Sequence, residues 1–208
     1  MTTKISEILD FLNELYPDAH CELIYHKDYE LLIAVMLSAQ TTDKSVNKVT
    51  DILFDKYKDL KSLATADIND IENIIKSIGM YKNKANNVLL IAKELIEKYD
   101  DIVPSSREEL MSLSGVGNKT ANVVRAELFK IPELPVDTHV ARISKRLKLA
   151  RDSDEPIEIE KKLKKLIPKE RQIKTHHQMI WFGRYFCKAK NPQCENCKLK
   201  KYCSLFEI

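Results

Sequence analysis

Apolar residues recur every three or four positions along most of the chain, a spacing that predicts helices rather than strands. Residues 4–16 show the pattern of an amphipathic helix, which Pro17 ends. Residues 29–39 are apolar on every side, which indicates a helix buried all round at the centre of a domain. The same periodicity predicts helices over 44–57, 67–76, 83–98, 158–167 and 172–186. Strand-like alternation is scarce, so the pattern favours an all-α protein.

A tight helical hairpin is predicted in the middle of the chain. Ser105 and Glu108 form a capping-box pattern for a short helix, and a second helix is expected over 120–129. The connection contains Gly115 and Gly117, both of which can take positive φ and lack a Cβ. Backbone N–H groups exposed beside a helix N-terminus bind phosphate oxygens. The hairpin is therefore either an ordinary helical corner or an anion-binding turn.

Lys119 follows the second glycine and is expected on the first turn of the second helix. A cation is unfavourable there, because the helix dipole places partial positive charge at the N-terminus. The same field disfavours the ammonium form, and only a neutral lysine amine is nucleophilic. Lys119 is therefore a candidate nucleophile, with a simple phosphate contact as the alternative.

Asp137 stands at the expected N-cap of a helix over 136–147. An aspartate at this position accepts a hydrogen bond from a first-turn N–H, and that bond also fixes the direction of the carboxylate. Asp137 is therefore either a cap alone or a cap that also takes part in a reaction.

Four cysteines are crowded near the C-terminus in the spacing C-x6-C-x2-C-x5-C. They are Cys187, Cys194, Cys197 and Cys203. In a reducing compartment such crowding favours metal binding over disulfides. Four thiolates can hold either Zn²⁺ or a [4Fe–4S] cluster, and the spacing alone does not choose between them.

Composition and charge limit the number of domains and the class of partner, but they do not identify the protein. A chain of 208 residues with 44% hydrophobic content can form one large domain or two small ones. The net charge is only +3, but basic residues cluster on both sides of Asp137 and again near the C-terminus. Clusters that flank a phosphate-binding hairpin suggest a surface that follows a nucleic-acid backbone. The first cluster consists of Lys119, Arg125, Lys130, Arg142, Lys145, Arg146 and Lys148.

The N-terminus and the longest apolar run both argue against a membrane protein. Met1–Asp10 is polar and charged, unlike a signal peptide. Leu31–Leu37 is far shorter than the ~20 residues needed to span a bilayer. We expect a soluble, cytoplasmic protein.

The hairpin stretch Leu113–Val124, the segment 136–142 and the cysteine pattern together resemble the endonuclease III family of helix-hairpin-helix DNA glycosylases. The resemblance also reaches Leu31–Asn47 and Ile78–Asn86, so it spans most of the chain in the family's order. It implies an all-α fold of two helical domains with a C-terminal iron–sulfur cluster loop. The expected domains are a barrel-like one with the hairpin, residues 20–128, and a cluster domain of residues 1–19 and 129–208.

The resemblance assigns chemistry to the candidate residues. Lys119 would be the attacking amine and Asp137 its carboxylate partner, and the four cysteines would bind a [4Fe–4S] cluster. Gln40 would fill the gap that an extruded base leaves, or else only satisfy local backbone groups. Met80, where the family usually has Leu, would be a wedge between base steps, or else fold into the core.

The remaining implied contacts are with DNA. His139 would touch DNA or orient Asp137, or be an ordinary surface residue, and the loop with Lys188 and Lys190 would meet the DNA backbone. The full set of expected DNA contacts is Gln40, Met80, Gly115, Gly117, Asn118, Thr120, His139, Lys188 and Lys190.

The resemblance implies a bifunctional DNA glycosylase and abasic-site lyase that removes oxidised pyrimidines from double-stranded DNA. We expect a monomer, associated with the nucleoid through DNA binding. The alternatives are a mismatch or adenine glycosylase and a non-catalytic module that binds damaged DNA. Adenine glycosylases carry no lysine at the hairpin position and have an extra C-terminal domain. The presence of Lys119 and an end at Ile208 favour the bifunctional enzyme.

Overall fold

The structure is a computed structural model that describes residues 2–206, and every regular element in that range is helical. The all-α prediction is confirmed. The helices are α1 (Thr3–Leu15), α2 (Asp28–Leu37), α3 (Asp43–Lys56), α4 (Leu60–Ala64), α5 (Ile68–Ile75), α6 (Tyr81–Tyr99), α7 (Arg107–Ser112), α8 (Asn118–Phe129), α9 (Thr138–Arg146), α10 (Pro156–Leu166) and α11 (Lys169–Trp181). A π-helix, Phe182–Phe186, continues α11, and short 3₁₀ turns follow at Cys194–Asn196, Lys200–Tyr202 and Ser204–Phe206.

The chain divides into two compact units. One unit combines the residues up to Cys21 with those from Lys130 onward, and the other is Glu22–Phe129. Residues 1, 207 and 208, which the expected cluster domain includes, lie outside the described residues. The assignment of a cluster to that unit stays a prediction.

The unit Glu22–Phe129 is built around α2, as its all-round apolar sequence predicts. Every residue from Leu31 to Leu37 is buried, and α2 packs against α3, α6 and α8. A side-chain cap begins one of these neighbours: the hydroxyl of Thr42 accepts the N–H of Ser45 at 3.3 Å at the start of α3. Because the caps and the apolar faces agree, this half of the fold follows closely from its sequence.

The other unit buries aromatic side chains between α1 and the end of the α11–π-helix segment. The ring of Phe11 meets Phe182 and Phe186 edge-on, with centroids 6.2 and 5.9 Å apart. This contact packs the C-terminal helical segment against the N-terminal helix. On α9, Val140 and Ile143 are fully buried, as their spacing predicts.

One local prediction is wrong and one short helix was not predicted. The N-cap of α7 is Ser106 rather than Ser105, and its hydroxyl accepts the N–H of Glu109. After α5, which ends at Ile75, the residue in the left-handed conformation is Met80. The five-residue helix α4 was not predicted, because so short a segment shows no helical periodicity. Among residues 2–206, none of the helices combines the length and apolar character that a bilayer crossing requires.

Candidate functional site

The hairpin between α7 and α8 depends on Gly115 in two ways. Gly115 has φ of +74°, in the left-handed region that favours glycine. A Cβ at this position would lie 2.8 Å from Cγ of Asn87, too close for any real contact. Gly117 differs on both counts, since its φ is not positive and a Cβ there would meet nothing within 4 Å. Only one of the two glycines therefore uses its conformational freedom, and the other leaves open space beside the start of α8.

Helix α6 holds the entrance to this hairpin through a carboxylate. Oε2 of Glu94 accepts the backbone N–H of Ser114 at 2.9 Å, and its Oε1 accepts the hydroxyl of Ser114 at 3.1 Å. Together with the contact between Asn87 and Gly115, these bonds attach the hairpin to one helix at two points.

Lys119 lies on the first turn of α8 with an exposed side chain, as the sequence predicts. The carbonyl of Gly117 accepts the first helical hydrogen bond, from the N–H of Ala121 at 3.0 Å. Asn118 and Thr120, on either side of the lysine, are half-buried. The position thus combines an exposed amine with the N–H groups that open a helix.

Gln40 and Met80 both have left-handed backbones, with φ of 56° and 57°. Neither is a glycine, and the left-handed conformation costs other residues about 1–3 kcal/mol. Both side chains are exposed, Met80 to 51%. The alternative that Met80 folds into the core is therefore wrong, and the turn presents a large apolar side chain.

Asp137 caps α9, as predicted. Its Oδ1 accepts the backbone N–H of Val140 at 2.8 Å, and the side chain is half-buried. Two residues on, Nδ1 of His139 lies 3.3 Å from the guanidinium of Arg142. A Cβ on Gly183 would come within 2.8 Å of the His139 Cβ, so the imidazole is packed against the π-helix. Burial lowers the pKa of His139, and the charges of Arg142 and Arg184 add to this effect against the opposing charge of Asp137.

The four C-terminal cysteines are half-buried and carry free thiols. Burial raises the pKa of Cys187 in spite of the adjacent Arg146 guanidinium. Burial also raises the pKa of Cys197, and the other three cysteines add to that effect, so all three lie within electrostatic reach of Cys197. Within residues 2–206, no three His, Cys, Asp or Glu side chains are close enough to hold a single metal ion. A [4Fe–4S] cluster is held by four thiolates, so the donor set fits such a cluster in chemistry.

Two arginines of α9 bind the loop that begins at Cys187. Arg146 donates to Sγ of Cys187 at 3.2 Å and to the carbonyl of Lys188 at 2.8 Å. Arg142 donates to the carbonyl of Cys187 at 3.3 Å and to the carbonyl of Gly183, in the π-helix, at 2.7 Å. These two members of the first basic cluster are therefore internal ligands of the fold, which corrects the interpretation that the whole cluster follows a DNA backbone. Lys188 and Lys190 in the same loop are exposed.

Comparison with known proteins agrees with this architecture. The profile of the HhH-GPD superfamily of base excision DNA repair proteins matches residues 33–169. Endonuclease III of Bacillus subtilis (strain 168) is 46% identical over 96% of this chain and 91% of its own length. Endonuclease III of Haemophilus influenzae is 42% identical over 99% of this chain and 97% of its own.

A solved structure described as a trapped endonuclease III–DNA covalent intermediate is 51% identical to this chain. It superposes with a TM-score of 0.93 and covers 98% of this chain and 97% of the solved chain. A thermostable thymine-DNA glycosylase, 23% identical with a TM-score of 0.86, shares the fold. The chain therefore belongs to the HhH-GPD superfamily of base excision DNA repair proteins and, within it, to the endonuclease III family.

Proposed function

We propose that this protein is a bifunctional DNA glycosylase and abasic-site lyase that removes oxidised pyrimidines during base excision repair. The observation that carries the proposal is Lys119, an exposed amine on the first turn of α8 directly after the Gly115 hairpin. The family relationship supports it, since one relative of 51% identity forms a covalent intermediate with DNA.

In the proposed reaction, the neutral amine of Lys119 attacks C1′ of an extruded nucleotide. The new N–C1′ bond forms as the glycosidic bond breaks, and the damaged base leaves with the bonding electron pair and takes up a proton. Opening of the sugar ring then yields an imine between Lys119 and the sugar. Loss of a proton from C2′ expels the 3′ phosphate, which nicks the strand.

Asp137 is proposed to stabilise the positive charge that develops on the sugar and to assist proton transfer. Its Oδ1 bond to the N–H of Val140 fixes the carboxylate direction before substrate binds. Preorganised charge of this kind acts without reorganisation during the reaction. Of the two roles expected for His139, we propose that it orients Asp137 rather than touches DNA, because its ring is packed against Gly183.

The proposed DNA contacts fall into two kinds. The hairpin residues Gly117, Asn118 and Thr120 and the exposed Lys188 and Lys190 would meet phosphates, which carry most of the sequence-independent affinity. Gln40 and Met80 would enter the stack in place of the extruded nucleotide. An exposed apolar side chain at 51% accessibility suits that role better than a buried one.

We also propose a [4Fe–4S] cluster, held by Cys187, Cys194, Cys197 and Cys203. When bound, the cluster would fasten the C-terminal loop, and the bond-breaking steps need no redox chemistry from it. Arg146 would keep Cys187 and the start of the basic loop against α9.

The family relationship argues against the mismatch and adenine glycosylase alternatives, and a nucleophilic Lys119 argues against a non-catalytic module. The protein is proposed to act in the cytoplasm, as a monomer.

Borohydride trapping on a duplex with one abasic site tests the nucleophile. The wild-type protein is expected to become covalently attached to DNA, and peptide mapping should identify Lys119. Lys119→Gln should retain the fold, because the side chain is exposed, and should lose both trapping and strand cleavage. Lys93→Gln, an exposed lysine on α6, is the matched control and should trap normally. Trapping by Lys119→Gln at wild-type yield would overturn the assignment.

A further inference from the structure

Lys84 is a buried lysine that the proposed chemistry does not use. It lies in the first turns of α6 and is only 3% exposed, although lysine is almost never fully buried without partners. Burial lowers the pKa of its ammonium group. A buried ammonium group of this kind requires hydrogen-bond partners.

Its partners are the backbone and side chain on either side of Gln40. Nζ of Lys84 donates to the carbonyl of Ala39 at 2.7 Å and to the hydroxyl of Thr41 at 3.0 Å. The two acceptors bracket Gln40, whose φ of 56° is left-handed. The ammonium group thus closes a loop of three residues around the exposed glutamine.

The same lysine also binds the second left-handed turn. The backbone N–H of Lys84 donates to the carbonyl of Met80 at 3.0 Å, which forms the first turn of α6. Lys84 therefore bonds to the turn of Met80 through its main chain and to the residues on either side of Gln40 through its side chain. Left-handed non-glycine residues persist only where the surroundings over-determine them.

We propose that Lys84 is a positioning residue for lesion recognition, which holds the loop 39–41 in the conformation that presents Gln40 beside Met80's turn. The inference rests on the proposed function, in which Gln40 enters the space left by the extruded nucleotide. Removal of the ammonium group releases two acceptors and lets residue 40 relax toward ordinary backbone angles. The affinity for a duplex with an extruded nucleotide should then fall, whereas the sequence-independent contacts with phosphates should be unaffected.

The test compares Kd for a duplex that contains a tetrahydrofuran abasic analogue with Kd for the same undamaged duplex. Lys84→Met keeps the aliphatic stem but has no donor. It should weaken binding to the analogue at least tenfold and change binding to undamaged duplex by less than twofold. Lys93→Met on the exposed face of the same helix is the control and should leave both values unchanged.

A double-mutant cycle separates positioning from a merely structural role. If Lys84 acts through Gln40, Lys84→Met should have little further effect on analogue binding in a Gln40→Ala background. Additive losses, or equal losses on both duplexes, would overturn the proposal. Should Lys84→Met fail to fold, Thr41→Val removes one acceptor and leaves the lysine in place. It should then lower the preference for the analogue several-fold, and an unchanged preference would refute the role.

The outcome also distinguishes this inference from the proposed function. A wild-type protein with no preference for the analogue and no trapping would contradict the function itself. A wild-type protein with clear preference, matched by Lys84→Met, would contradict only the role of Lys84.

Discussion

Gly115→Ala should destabilise the unit Glu22–Phe129 far more than Gly117→Ala. The left-handed φ of +74° costs an alanine about 1–2 kcal/mol. The new Cβ would also press on Asn87 at 2.8 Å from Cγ, and overpacking of that kind costs about 1–3 kcal/mol. Reduced entropy of the unfolded chain returns ~0.4–1 kcal/mol, which leaves a net loss of about 3 kcal/mol at the middle of these ranges.

Gly117→Ala meets neither obstacle, because its φ is not positive and no atom lies within 4 Å of the Cβ position. Its cost should be about 1 kcal/mol or less, chiefly from the weaker N-cap. With a slope of roughly 2 kcal/mol per molar urea, Gly115→Ala should lower the unfolding midpoint by about 1.5 M. Helical circular dichroism is the suitable signal, since Trp181, the single tryptophan, belongs to the other unit.

Asn87→Ala provides the decisive comparison. It removes the Cγ and Nδ2 atoms that crowd the new methyl group and leaves only a tight contact of 3.1 Å with the Asn87 Cβ. In this background Gly115→Ala should cost about 1–2 kcal/mol less than in the wild type, because the backbone penalty remains while the clash is relieved. Equal midpoints for Gly115→Ala and Gly117→Ala, or a strictly additive cycle, would refute the reasoning.

Three further predictions concern the other unit. Asp137→Asn should change the free energy of unfolding by about 1 kcal/mol or less, because an amide oxygen still caps α9. Base release from a lesion duplex in single-turnover assays should nevertheless fall at least a hundredfold. A fall of less than threefold would contradict a catalytic carboxylate. Cys194→Ser should abolish the brown colour and the four irons of anaerobically purified protein, and a colourless wild type that contains one zinc would exclude the cluster. The carboxylate of Asp154 binds the ammonium group of Lys162 and accepts the N–H of Arg151. Both interactions lower the pKa of Asp154, and the bond to Lys162 has the larger effect. A carboxylate with a lowered folded pKa stabilises the fold above its unfolded pKa of about 3.9 and loses that contribution as pH falls through the folded value. The urea midpoints of wild type and Asp154→Asn should therefore differ at pH 7 and converge below pH 4; a constant difference would rule out the ion pair as its source.

Periodicity and capping rules predict most of the fold because their causes are local. The apolar run of α2, the hydroxyl of Thr42 and the carboxylate of Asp137 each act within a few residues of the position they define. The exposed position of Lys119 follows in the same way, from two glycines and the first turn that comes after them. Such features can be read from one segment without knowledge of its neighbours.

The features that sequence reasoning missed depend on contacts between distant segments. Arg142 and Arg146 read as surface charges, but carbonyl groups from residues 183–189, about forty positions later, surround them. The left-handed conformation of Met80 was not foreseen either, because glycine is the usual residue in that conformation and no local rule places a methionine there.

Helix α6 contacts several loops of the candidate site, and these long-range contacts cannot be inferred from its own sequence. One helix contacts the loop of Gln40 through Lys84, the Gly115 turn through Asn87 and the hairpin entrance through Glu94. These residues recur at intervals of three and seven, which keeps them near one face of a helix with 3.6 residues per turn. A polar face on α6 looks like an ordinary solvated surface in the sequence, since lysine, asparagine and glutamate are typical of one. In the fold, that face instead contacts the loop of Gln40, the Gly115 turn and the hairpin entrance, so residues of a helix to which no catalytic residue is assigned line up behind the candidate site.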